Sequence, residues 1–424
     1  MIMLRIHRSK MQQLIILILV FATDSYIVFS STIPRIRTFF QGFLFLIVLT
    51  FLLYKRSIKL KKIIFFLLLA LPVFLSMIVN NDFSGGNLIK IFMMFAGMVI
   101  SNNIELENFK SYFSNIIYFI AGFSLVTYIL SGFIVSHETL FPVIVNTSGT
   151  RVAFLGLSNV ALSDGFPRNY GPFWEPGVYA IYLCFALIFN MKAGTRPRFK
   201  DILVILTIVT TFSTSGIMLL ALVIVEYAYL QVNFDENGVQ KKASESTRFI
   251  VLSLIFLSVI YLFFNDHMKE ILFAKFNKAD YRYMSTAARM NSITGNLIIW
   301  KEHPIFGVGA AKITSLYESF VLSKGGWDLS NTNGLLTHFS MYGVVEGLGI
   351  TLCIYKFARV LRKNIMSVLI VFLIFVLMLT AEPLMTSILL NTIIFYGIQN
   401  NEAKGLMRYE QKEKTKNCGY KCIL

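Results

Sequence analysis

Three short stretches of the chain carry residue types that could do chemistry. The first is Arg168-Asn-Tyr-Gly-Pro-Phe-Trp-Glu-Pro176, a polar run set directly before an apolar run that begins near Gly177. Desolvating an arginine or a glutamate beside a membrane is unfavourable unless each has a partner or a ligand. An arginine also presents a planar fork that grips phosphate in bidentate fashion. Glu175 at a helix start is equally what a first-turn acid would be for structural reasons, and Pro176 suits a first helical position whether or not anything binds. The second stretch is Arg289, followed by Trp300 and His303-Pro-Ile-Phe-Gly-Val-Gly309. A loop arginine is commonly a solvated charge, and a lone Gly-x-Gly is a weak phosphate-loop signal, but two arginines from separate loops could clamp one pyrophosphate. The third is Asn331-Thr-Asn-Gly-Leu-Leu-Thr-His338-Phe-Ser-Met-Tyr-Gly343, with Gly347 beyond it. His338 titrates in the range of a general base, although a histidine at a membrane interface is more often a hydrogen-bonded packing residue. His137, His267 and His303 have no carboxylate or cysteine at ligand spacing, so no metal site is expected.

The elements that must position these residues are membrane helices. With 56% hydrophobic and 15% charged residues and a mean hydropathy of +0.66, the chain carries more apolar surface than a soluble core requires. Its repeated apolar runs match helices crossing a ~30 Å hydrocarbon layer, and the alternating pattern of a barrel is absent. The fold class expected is therefore an all-α integral membrane protein. A formal charge of +16 invites a nucleic-acid reading, but the basic residues fall in short clusters between apolar runs. They lie at Arg5 to Lys10, Lys55 to Lys62, Lys192 to Lys200, Lys241 and Lys242, Lys356 to Lys363 and Lys404 to Lys416. If spans alternate, these clusters share one side, which the positive-inside rule makes the cytoplasm; no nucleic-acid partner is expected.

Spans near 12–31, 38–54, 62–80, 87–102, 113–135, 174–191, 201–213, 215–232, 248–265, 335–356, 365–381 and 383–400 give about twelve crossings in a single polytopic domain, 1–424, with both termini inside. The first run has a basic lead-in but no small-residue cleavage site, and is read as a retained span. Two long external loops remain, about 137–173 and 266–334, with a cytoplasmic tail at about 401–424. The second loop is basic, which suggests an anionic ligand. Cys184 and Cys353 lie in apolar runs and Cys418 and Cys422 on the tail, so no disulfide is assigned. Asp24, Glu226 and Glu382 are near-membrane acids that a modest shift of their spans would solvate; Glu346, midway along the tenth span, is the exception and would matter to a transporter. No internal repeat is evident.

On these residues the chain resembles the O-antigen polymerase and O-antigen ligase superfamily, integral membrane glycosyltransferases of the GT-C type. Arg168-x-x-Gly171-x-Phe173-x-Glu175-Pro176 is similar to the family signature before a mid-chain span, and Phe212-Ser-Thr-Ser-Gly216 to its serine-rich turn. Arg289 with His303-Pro304-x-x-Gly307-x-Gly309 is similar to part of its large external loop, and Asn333, Leu336, Gly343 and Gly347 keep its spacing into the next helix. One departure matters: the family, and its ligase branch especially, commonly has a histidine before the asparagine corresponding to Asn333, and here that slot is Thr332. A threonine is no neutral-pH base, which favours a polymerase over a ligase.

The resemblance implies a bacterial inner-membrane enzyme, active on the periplasmic side without metal or cofactor. It would join polyprenyl-pyrophosphate-linked oligosaccharide repeat units of O-antigen or a related surface polysaccharide, with membrane lipid, a flippase and a chain-length regulator as further partners. Arg168 and Arg289 would neutralise the pyrophosphate, Glu175 would orient Arg168 or a substrate hydroxyl, and His338 would contact the acceptor. Tyr170, Trp174 and Asn333 are further candidate substrate contacts. The alternatives are a ligase that moves finished glycan onto lipid A core, and a transporter that flips lipid-linked oligosaccharide without chemistry.

Overall fold

The computed structural model describes residues 10, 12, 13, 15, 16, 26–28, 58–145, 150–162, 167–233, 283–385 and 387–398. The spans expected near 12–31, 38–54 and 248–265 and the tail at 401–424 lie wholly or largely outside these residues, as do Asp24, His267, Cys418 and Cys422. Apolar runs become helices because hydrocarbon offers backbone amides no other partner. The first three described helices are α1 (Leu60–Val79), α2 (Gly85–Asn103) and α3 (Leu106–Ile129), followed by a short α4 (Ser131–Ser136). Helix α1 shows the membrane pattern directly. Leu69, Val73 and Met77 face inward, whereas Leu67, Leu71, Phe74 and Ile78 are exposed, so the outward face is apolar too.

Helix α5 (Pro176–Asn190) is the centre of the molecule: every residue from Pro176 to Phe189 is buried. It packs against α3, α6 (Phe199–Thr210) and α7 (Thr214–Asn233). Among the described residues, α1, α2, α3 and the Thr214–Gln231 part of α7 are long and apolar enough to cross a membrane, with α5 and α12 (Ile365–Ala381) as shorter apolar helices. The protein is thus mostly helical, as an all-α membrane protein would be. One element departs from that class. Within the expected loop 137–173, strands β1 (Val143–Val145), β2 (Arg151–Phe154) and β3 (Asn159–Ala161) form an antiparallel sheet in the order β1-β2-β3, with Val143 opposite Ala153 and Val152 opposite Ala161. Short β-branched runs of this kind favour strands.

The second expected loop, 266–334, is likewise not irregular where it is described. It contains α8 (Tyr283–Glu302) and α9 (Ala310–Ser323), whose polar residues left no apolar run to read. The run expected as a tenth span, 335–356, is two helices, α10 (Gly334–Tyr342) and α11 (Val344–Leu361). They meet at Gly343, whose φ of 83° and close approach to the Ile305 carbonyl exclude a side chain. Residues 304–309 dock into this break: Val308 N donates to Ser340 O at 3.0 Å, Gly309 N to Met341 O at 3.0 Å, and Val344 N to Pro304 O at 2.9 Å. The Gly307-x-Gly309 pair therefore serves backbone packing, and its amides are engaged rather than free to cradle phosphate. The last described helix, α13 (Ile388–Tyr396), lies along α2, with Gly97 against the Asn391 backbone, the close approach that small residues allow between membrane helices.

Candidate functional site

The Arg168–Pro176 stretch is held from three sides. On one side Asn159 of β3 donates through Nδ2 to the carbonyls of Gly171 and Phe173, each at 2.8 Å, so the small sheet fixes the run. On another, Asn169 donates to Ser124 Oγ on α3 and to Thr210 Oγ1 at the end of α6. On the third, Ile27 N donates to Pro172 O at 3.1 Å. These bonds set Arg168 at the C-terminus of α6, where Nε donates to Thr211 O at 3.1 Å and Nη2 to Phe212 O at 3.4 Å. A cation is favoured there because the last carbonyls of a helix are unsatisfied. Phe212 takes a positive φ of 46° in this turn. Two of the five guanidinium donors are thus used, and the others have no partner among the described residues.

Glu175 follows as the residue preceding α5 and is half-buried. Beside it stands Glu382, just beyond the end of α12 and 1% exposed. Glu382 Oε1 occupies the space that a Cβ at Gly177 would fill, so the first turn of α5 admits the second carboxyl only because residue 177 is glycine. Arg289 reaches the same point from α8, its Nη2 3.8 Å from Glu382 Oε1. Burial raises the proton affinity of Glu175, and the nearby Arg289 and Arg168 oppose that rise. Burial and the adjacent Glu175 together hold Glu382 well above the ordinary carboxylate range, opposed again by Arg289. Two carboxyls in contact favour sharing one proton. The cluster of two guanidiniums and two carboxyls then carries a net positive charge; Glu382 is buried and the other three are partly exposed. Both Glu382 oxygens and Arg289 Nε are buried without a hydrogen-bond partner among the described residues.

Arg289 is one of three polar residues on a single face of α8. Ser292 accepts from Thr332 N at 3.0 Å, and Asn296 accepts from Ser340 Oγ at 2.6 Å and donates to Asn331 Oδ1 at 2.9 Å. This face docks the start of α10 onto α8. Asn333 caps α10, its side chain accepting from Leu336 N at 2.9 Å. Its Nδ2 is buried without a partner among the described residues, and the adjacent Gly334 packs on the Glu382 carbonyl. Asn333 therefore carries an unpaired amide donor one residue from the point where α10 packs on Glu382.

A second cluster of charge lies elsewhere. His338 Nδ1 sits 2.7 Å from Glu346 Oε2, and Lys90 Nζ lies 3.6 Å from Glu346 Oε1, with exposures of 1%, 0% and 2% for His338, Glu346 and Lys90. Glu346 is in the first turn of α11 and not midway along a span, because the chain breaks at Gly343. Of the acids that a modest shift of their spans was expected to solvate, Glu226 and Glu382 are enclosed instead, and Asp24 lies outside the described residues. Glu226 is 0% exposed and binds Arg362 Nε at 2.5 Å and Ser367 Oγ at 2.8 Å.

Of the residues expected from sequence, Arg168, Glu175 and Arg289 are brought together, with Asn333 at their edge. His338 is drawn into the enclosed cluster instead. Tyr170 is 6% exposed and packs with Ile27, Val152 and Ala161, with Trp174 partly buried against the same group, so both rings support the small sheet. Thr332 is tied to Ser292 through its amide and its hydroxyl. Glu382 and Lys90 were not expected at either cluster. The available signals were an acid set directly before Pro383 at the end of an apolar run, and a lysine inside the run 87–102. Neither a family model nor a curated protein matches the chain.

Proposed function

We propose that the chain is a polysaccharide polymerase of the bacterial inner membrane, joining polyprenyl-pyrophosphate-linked repeat units of O-antigen or a related surface glycan. The observation that carries this reading is the convergence of Arg168 and Arg289, far apart in sequence, on the Glu175 and Glu382 pair. In the reaction, a hydroxyl of the incoming lipid-linked unit bonds to the anomeric carbon of the growing glycan. The bond from that carbon to the pyrophosphate oxygen breaks, and the lipid pyrophosphate leaves. The departing group is activated already, so the main tasks are placement and neutralisation of its charge. Arg168 and Arg289 meet that charge, and Asn333 Nδ2 adds a neutral donor. The hydroxyl proton passes to Glu175, a half-buried carboxyl whose proton affinity is raised by burial. His338, enclosed with Glu346 and Lys90, supports the helix that bears Asn333. About twelve spans of a GT-C-type enzyme, with both termini cytoplasmic and the cluster on the periplasmic side, complete the reading.

The test is a lipopolysaccharide or capsule gel from a deletion strain complemented with wild type, Arg168→Ala or Arg168→Lys at matched protein level. A ladder with wild type that collapses to core plus one repeat with either variant is expected, since an ammonium lacks the planar fork. A full ladder from Arg168→Lys removes Arg168 from the mechanism. Loss of all glycan from the core in the deletion strain, with lipid-linked polymer accumulating, makes the protein a ligase instead.

A further inference from the structure

The three helices that frame the arginine cluster carry a second feature at their other ends. The cluster touches the start of α5, the end of α6 and the turn before α7. A cavity of about 440 Å³ is lined by the end of α5, the start of α6, the middle of α7 and the first turns of α3. Helix α5 has 15 residues, which at ~1.5 Å rise per residue separates the two features by roughly 20 Å. The cavity therefore lies on the opposite face of the bundle from the arginine cluster, beside α3 and α7, two of the helices fit to cross a membrane.

Its inner wall is apolar, formed by Leu187, Phe189, Leu220, Val223 and Ile224. Its mouth is basic. Lys110 is balanced by Glu107 at 2.7 Å and Arg198 by Asp201 at 3.4 Å. Lys192 and Arg196 line the same mouth, are solvent-exposed, and have no ion pair among the described residues. The segment that bears these two cations is fixed by its backbone. Tyr227 Oη donates to Thr195 O at 2.5 Å, and Gln231 Nε2 donates to Lys192 O at 3.0 Å and to Thr195 O at 2.9 Å. A pocket of this size with an apolar wall and a few placed polar groups is the form of a small-molecule site. Two uncompensated cations at a membrane-helix end select an anionic headgroup.

We infer that this cavity binds one anionic phospholipid, with an acyl chain against Ile205 and Ile224 and the headgroup phosphate between Lys192 and Arg196. The inference stands apart from the polymerase reading, because it uses none of the cluster residues. The experiment is native mass spectrometry of the full chain, purified in neutral detergent and titrated with phosphatidylglycerol or phosphatidylcholine. Two cations at about 1 kcal/mol each give phosphatidylglycerol an advantage of roughly tenfold to thirtyfold. The double variant Lys192→Ala, Arg196→Ala, altered only at exposed positions, is expected to lower phosphatidylglycerol binding to the phosphatidylcholine level. Ile224→Trp, which fills the wall, is expected to weaken both lipids. Equal affinity for the two lipids in wild type, or unchanged selectivity in the double variant, overturns the inference. Displacement of phosphatidylglycerol by inorganic phosphate at equal concentration also overturns it, in favour of a site for a free anion.

Discussion

The molecule holds two clusters of buried charge, and they are built to opposite rules. Around Glu346 a single carboxylate has close partners in His338 and Lys90, all three residues are 2% exposed or less, and His338 Nε2 is the cluster's one side-chain atom buried without a partner among the described residues. Around Glu382 two carboxyls crowd together, the nearest guanidinium nitrogen stands 3.8 Å away, Arg289 remains 26% exposed, and several buried polar atoms lack partners. Buried charges that hold a fold are normally satisfied by one another. Charges left poorly paired at a partly open position are where a ligand would complete the set. The first cluster therefore fits a structural role, and the second fits the proposed site.

The largest effect should come from breaking the enclosed cluster. Glu346→Gln leaves Lys90 buried without a counter-ion, and loss of one partner from a buried pair costs about 3–5 kcal/mol. A markedly lower melting temperature in detergent, with reduced protein in the membrane, is expected. Adding Lys90→Met should restore much of the loss, since removing both ions is far milder than removing one. A Glu346→Gln protein that melts like wild type would mean that Lys90 does not depend on Glu346 as a counter-ion, and the contrast between the clusters would fail.

Next comes Arg289→Ala, which should separate stability from activity. Removing one preorganised donor from a developing negative charge lowers rate by about 10² to 10³. Because Arg289 is partly exposed and its link to Glu382 is long, the melting temperature should stay near that of wild type. Polymer length on a gel and thermal melting of the purified variant measure the two sides. Equal loss in both would place Arg289 among the structural ions.

Glu382 sharpens the contrast through pH. Burial and Glu175 raise its proton affinity in the folded state. A raised folded value contributes stability that is fully present below the unfolded pKa and is lost as pH rises through the folded one. The protein should accordingly lose stability as pH rises above the ordinary glutamate range, and Glu382→Gln, which imitates the protonated form, should flatten that slope. An unchanged slope would assign the titration elsewhere.

How far these features could be read beforehand depended on range. Arg168 and Glu175 stood out because a charge beside an apolar run is conspicuous in one dimension, Arg289 gained weight only from lying in the other long loop, and hydropathy located the apolar helices. Glu382 reads from the sequence as a solvated near-membrane acid because what places it in the cluster, the absence of a side chain at Gly177, is a long-range fit that no local pattern records. Lys90 was hidden inside an apolar run, with its counter-ion far along the chain. Helix α8 escaped because its organising face is Arg289, Ser292 and Asn296, a polar stripe at helical spacing where an apolar one was sought. The division of 335–356 rested on one glycine whose need shows only once residues 304–309 dock against it.

The smallest effect should come from Thr332, the position where the resembling family commonly has histidine. Its hydroxyl meets Ser292 Oγ at 3.3 Å and its amide meets the same oxygen at 3.0 Å, which ties the start of α10 to the helix that carries Arg289. Thr332→Val removes the hydroxyl contact and keeps the amide, a loss of about 0.5–1.5 kcal/mol. The proton acceptor in the proposed reaction is Glu175, so synthesis should fall by no more than a few-fold, in line with the small loss of stability. A general base contributes about 10² to 10⁴ in rate. A fall of that size in Thr332→Val with an unchanged melting temperature would therefore place proton transfer at the start of α10, and would move the chemical centre from the paired carboxyls to the Asn333 side of the cluster.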